Sequence, residues 1–150
     1  MTERSGSLTS DNLGFLLAKA SQRWNELLYE QFVAAGAAEV RPAYGSLLIP
    51  LYQEDGLRQG EVARRARLSK QTMTTMARAL ERAGLIERRL DPTDARATLV
   101  FLSRRAREVR PVIEGVVAAL DAHVASVLQP RTSSNLTRAL KAIADLDRGP

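Results

Sequence analysis

Between Ser69 and Arg78 the chain carries Ser69, Lys70, Gln71, Thr72, Thr74, Thr75 and Arg78, with no acidic side chain before Glu81. On one helix, most of these project outward while Met73, Met76, Ala77 and Leu80 turn inward. The outward set is chemically suited to double-stranded DNA. Lysine and arginine contact phosphates or guanine edges, glutamine pairs bidentately with adenine, and threonine donates, accepts or touches a thymine methyl. A second basic group follows: Arg88 and Arg89 before a turn and Arg96 after it. A tip of this kind suits a minor groove, where narrowing raises the negative potential. Arg96 has an alternative use, pairing with Asp91 or Asp94 to hold the turn rigid. Other chemistry is scarce. There is no cysteine and one histidine, His123, which excludes disulfides, thiolate nucleophiles and thiol redox sensing. No glycine-rich phosphate loop, paired-carboxylate motif or metal-ligand spacing is present. No catalytic residue, cofactor or metal is expected, and the chain does not read as an enzyme.

The charge distribution agrees. The 150 residues carry a net charge of +5, but residues 58–110 hold 14 basic side chains against 6 acidic ones, and the remainder hold 8 against 11. Concentration of cations in the middle third implies one face that meets a polyanion. No stretch approaches 18 consecutive apolar residues, so no membrane partner is expected. Residues 1–12 lack the apolar run of a signal peptide. The expected location is the cytoplasm.

Stepping along the chain, the spacing of Leu13, Leu17, Ala20, Trp24, Leu27 and Leu28 predicts a long helix over residues 12–35, ended near Gly36. Pro42 suits the first turn of a second helix to about Tyr52, with Pro50 weakening its end. A short helix is expected over residues 59–65. Ser69 is an N-cap for the next, which runs to about Ala83 before the stop residue Gly84. Residues 85–90 and 98–102 read as strands around the turn Asp91-Pro92-Thr93-Asp94. Ser103 caps a helix over residues 104–128 whose valines, isoleucine and leucines recur at three and four. Pro130 breaks it, and a last helix is expected over residues 133–147.

Helix, short helix, capped helix and hairpin form the order of a winged helix-turn-helix. The expected class is mainly α with a small β-hairpin wing and long terminal helices. Residues 1–11 are expected to be a disordered tail and residues 12–150 a single domain. Within it, residues 41–102 form the DNA-binding core. The apolar stripe of residues 104–128 exceeds what a winged helix covers, so it needs a partner surface; the alternative is that the first and last helices of the same chain cover it.

These residues resemble the multiple-antibiotic-resistance regulator (MarR) family. The resemblance is carried by Gly60-Glu61-Val62-Ala63-Arg64-Arg65, by Leu68-Ser69-Lys70-Gln71-Thr72, and by the run from Leu80 to Arg88. The wing sequence Asp91-Pro92-Thr93-Asp94-Ala95-Arg96 and the junction Val100-Phe101-Leu102-Ser103 complete it. It implies a homodimer built by residues 12–35 and 104–147. Two recognition helices would enter successive major grooves of a pseudo-palindromic operator, about 34–36 Å apart. It further implies a repressor relieved by a small aromatic or phenolic ligand. Six of the seven aromatic residues lie in the first 52 positions; Trp24 and Tyr44, with Arg23 as counter-ion, are the expected ligand residues. Two positions depart from the family pattern: Ala95 and Thr75 stand where arginine is frequent. They leave open a winged-helix protein-interaction module that does not read DNA.

Overall fold

The computed structural model describes residues 8–147, and residues 1–7, most of the expected tail, lie outside it. Residues 9–12 form a turn in which the Asn12 amide donates to the Thr9 carbonyl at 3.0 Å. Helix α1 (Leu13–Ala34) follows, its first turn capped by the Asn12 side chain accepting from the Phe15 amide. A single 3-10 turn (Pro42–Tyr44) leads into α2 (Gly45–Gln53). Next come β1 (Leu57–Arg58), α3 (Gln59–Ala66), α4 (Lys70–Arg82), β2 (Ile86–Asp91) and β3 (Asp94–Leu102). The long α5 (Arg104–Val127) and α6 (Pro130–Ala144) close the chain. This is a winged helix-turn-helix flanked by long helices, as the residue pattern implies.

The sheet is antiparallel in the order β1-β3-β2. Ile86 pairs with Leu102 and Arg88 with Val100, and the register slips between Leu90 and Asp91 at the turn. Strand β3 begins four residues earlier than expected because pairing with β2 extends it to Asp94. Strand β1 was not expected. It pairs Leu57 with Val100 and Arg58 with Leu99, and two residues are too few to show a period of two. Helix α6 begins at Pro130, three residues early, because proline at the first helical position loses no hydrogen bond. Pro50 lies inside α2, which continues to Gln53 with Pro50 itself buried.

The core is one cluster under the sheet and the short helices. Leu47, Leu51, Val62, Met73, Leu80, Leu85, Ile86, Val100 and Val109 are its largest fully enclosed side chains. Helix α1 packs against α5, with Leu28, Phe32 and Leu120 buried there. That contact covers part of the α5 stripe: Val112, Ile113, Val116 and Val117 are half-buried. Helix α6 buries no residue at all within the chain. Leu13, Phe15, Leu16, Leu136, Leu140 and Leu146 are left exposed on α1 and at α6.

Candidate nucleic-acid interface

Three local devices aim α4. Helix α3 ends at Arg67, the one non-glycine residue with a positive φ (53°) among the described residues. The Leu68 amide donates back to the Ala63 carbonyl at 2.9 Å, which closes the turn. The Ser69 hydroxyl oxygen accepts from the Thr72 amide at 3.1 Å and donates to the Thr72 hydroxyl at 2.8 Å. This satisfies one of the otherwise orphan amides of the first turn. The inward face, Met73, Ala77 and Leu80, is fully buried, whereas Met76 is only half-buried.

The outward residues divide into two groups. Thr74 is half-buried and its hydroxyl donates to the Lys70 carbonyl at 2.9 Å; the Thr72 hydroxyl is held by Ser69. Each hydroxyl has one of its hydrogen bonds within the helix end itself. Lys70, Gln71, Thr75 and Arg78 are exposed, and their side chains make no hydrogen bond or ion pair among the described residues. They form a polar, acid-free strip along one side of α4.

The three wing cations have different surroundings. Arg88 is half-buried and bonds Glu81 of α4 at 2.8 Å; this pairing holds the Glu81 carboxyl below the usual carboxylate range. Arg89 bonds Glu87 at 2.9 Å and stacks on Phe101, 4.6 Å from the ring centre. Arg96 is 96% exposed and lies 3.8 Å from the Asp94 carboxylate. Its own amide donates to Asp94 at 3.0 Å. Of the two carboxylates considered for Arg96, Asp91 is instead taken by Arg58.

Other arginines of the basic segment are tied into the frame. Glu61 accepts from Arg64 and Arg65, and those hydrogen bonds pull its carboxyl down to about 2. Arg65 also reaches Glu54 at 2.6 Å. Arg67 donates to the Ala144 carbonyl and, at 2.9 Å, to Asp145, joining the turn before α4 to the end of α6. No sequence signal marks these contacts, which span 77 and 78 residues.

A cavity of about 720 Å³ opens between α1, α2 and α5. Trp24 lines it, together with Leu28, Phe32 and Tyr52. The other two expected ligand residues do not. Arg23 is turned away and pairs with Glu26 at 3.2 Å, because neighbours in sequence point about 100° apart on a helix. Tyr44 packs against the core instead. The cations at the cavity are Arg41 and Arg110. Arg41 stacks on Tyr29, 4.9 Å from the ring centre. Arg110 bonds Glu114 at 2.6 Å and the Tyr52 carbonyl at 3.2 Å. Arg110 was recoverable from sequence: Ile113 and Val117, three and seven residues on, share its face of α5.

The sequence profile described as the MarR family matches residues 42–98. The chain is 33% identical over 93 residues to the HTH-type transcriptional repressor Rv2887 of Mycobacterium tuberculosis, spanning 62% of this chain and 67% of that protein. Among solved structures it is similar to the transcriptional repressor CouR bound to a 23-mer DNA duplex. That match has a TM-score of 0.78, 26% identity, and coverage of 96% of this chain and 99% of that one. The fold is also that of the PcaV transcriptional regulator from Streptomyces coelicolor in complex with its natural ligand. There the TM-score is 0.77 at 24% identity, covering 91% of this chain and 94% of that one. The capped helix α4, the arginine-bearing wing and the flanking long helices, together with these matches, make the chain a member of the MarR family of transcriptional regulators.

Proposed function

We propose that the protein is a dimeric, sequence-specific double-stranded DNA-binding repressor. Helix α4 of each protomer reads a major groove, and Arg96 of each wing enters the adjoining minor groove of a pseudo-palindromic operator. The observation that carries this reading is the acid-free strip Lys70, Gln71, Thr75 and Arg78, whose side chains are exposed and without a partner among the described residues, on a helix whose opposite face is locked into the core. The N-terminus of α4, capped by Ser69, adds a positive helix end, which favours a phosphate. Arg88 and Arg89 contribute charge to the wing flank while their geometry is fixed by Glu81, Glu87 and Phe101. The similarity to CouR, solved on a duplex, supports the same mode.

Pairing of two chains follows from the apolar residues left open on α1 and α6. A helix with no buried residue is stable only when another surface covers it, and a second copy supplies the matching helices. A small aromatic ligand relieves DNA binding from the cavity between α1, α2 and α5, with Trp24 as its apolar wall and Arg41 or Arg110 as counter-ion. The similarity to PcaV, solved with its natural ligand, supports this.

Selection of bound sites from a random duplex pool tests the reading. The expected result is an inverted repeat with half-sites one helical turn apart. Affinity should fall with salt on a log–log slope of about −0.9 per phosphate neutralised. A pool that stays random after selection overturns it.

A further inference from the structure

The turn of the wing is held by a carboxylate facing inward. The Asp91 side chain is 7% exposed. Its Oδ1 accepts from the Thr93 amide and the Thr93 hydroxyl, both at 2.8 Å. Its Oδ2 accepts from Arg58 Nε at 2.9 Å and lies 2.9 Å from Arg58 Nη2. With both oxygens engaged, the carboxyl sits below the usual carboxylate range, chiefly through the Thr93 bonds and then through Arg58.

Arg58 comes from the other end of the reading unit. It is the last residue of β1 and the N-cap position of α3. Serine, threonine, aspartate or asparagine at that position would cap the helix with its side chain. Arg58 makes no such cap; its guanidinium crosses to Asp91, 33 residues later. The pair therefore bolts the start of α3 to the outer end of β2, where the strand register slips between Leu90 and Asp91. Five residues beyond Asp91, Arg96 stands almost fully exposed. Arg58 also neutralises one of two carboxylates, Asp91 and Asp94, at a tip read here as meeting a polyanion.

We propose that Arg58 is a positioning residue for the wing: it acts through Asp91, not on the duplex, and fixes the turn so that Arg96 is presented at a set angle to the minor groove. This rests on the reading of the wing as a DNA contact. Loss of Arg58 leaves a nearly buried carboxylate without its counter-ion, and the turn then loosens to hydrate it.

The test is a double-mutant cycle on the full chain, using the duplex enriched from the random pool. Arg58→Ala and Arg96→Ala are each expected to weaken binding about tenfold. The double variant is expected to bind no more weakly than Arg96→Ala alone. In the free protein, hydrogen exchange at the Thr93 amide is expected to quicken in Arg58→Ala and to recover in part in Arg58→Lys. Asp91→Asn, which removes the pair from its other side, is expected to mirror Arg58→Ala, with far-ultraviolet circular dichroism confirming that all variants fold. Additive losses in the double variant would mean that Arg58 touches the duplex itself and would overturn the proposal, as would full affinity in Arg58→Ala. If Arg96→Ala binds like the wild type while Arg58→Ala does not, the wing reading falls and the proposal with it. Failure of the DNA-binding reading is a separate result, seen when the wild type enriches no sequence.

Discussion

Replacing Ser69 separates the stability of α4 from its proposed use in reading DNA. In Ser69→Ala the Thr72 amide loses its 3.1 Å acceptor and the Thr72 hydroxyl loses its 2.8 Å partner. Loss of an N-cap acceptor costs about 1 kcal/mol; the hydroxyl is exposed, so water replaces its partner at little cost. For a chain of this length about 1 kcal/mol lowers the melting temperature by roughly 2–4 °C. Ser69→Asp keeps an acceptor in place, and its charge beside the positive helix end adds about 0.3–1 kcal/mol. Stability is then expected to match or exceed the wild type. The same carboxylate stands where a phosphate approaches. Repulsion at about 4 Å costs about 1 kcal/mol in bulk water and several times that where water is partly excluded, so DNA affinity is expected to fall at least about fivefold. Thermal melting and fluorescence polarisation with a labelled duplex read the two effects separately. Unchanged affinity in Ser69→Asp would show that the α4 N-terminus does not face the backbone. An unchanged melting temperature in Ser69→Ala would refute the capping energetics.

Three further outcomes follow from the same geometry. Gln71→Ala is expected to cost about 1–3 kcal/mol on the best duplex and to relax one base position in each half-site; equal loss on every sequence, measured by competition binding, would remove its base-reading role. Leu80→Ala, at a fully buried site, is expected to lower unfolding free energy by about 2–5 kcal/mol in urea titration, and a loss below about 1 kcal/mol would mean that α4 is not anchored there. Glu61, held at about 2 by Arg64 and Arg65, has a folded pKa below its unfolded one. Its contribution is therefore complete above the ordinary value of 4.5 and is lost as pH falls towards 2. Side-chain carboxyl NMR should give a midpoint near 2, and a midpoint near the ordinary value would contradict the bridging geometry.

The elements legible in the sequence were those whose signals are local. Ser69 and Ser103 act as caps as read, Gly84 ends α4 with a φ of 74°, and Met73, Ala77 and Leu80 form the buried stripe. The strip on α4 was legible as a set, but not which hydroxyls bond within the helix, since the Thr74 hydroxyl donates back to a carbonyl and the Thr72 hydroxyl accepts from Ser69. What was missed depends on contacts between distant residues. Two-residue β1 forms only because β3 is beside it. Arg58 meets Asp91, and Arg67 meets Asp145, across spans that no periodicity marks. At the cavity, closeness in sequence misled: Arg23 adjoins Trp24 but points elsewhere, whereas Arg41 and Arg110 arrive from other elements.

Two reading heads on one side of a duplex require two chains. Light scattering of the protein with its selected duplex measures this directly. The expected protein mass is twice the 16.5 kDa of one chain, bound to a duplex whose half-sites lie one helical turn apart, and Leu136→Asp with Leu140→Asp should reduce it to one chain with weaker binding. A single wild-type protomer bound at full affinity would contradict the assignment.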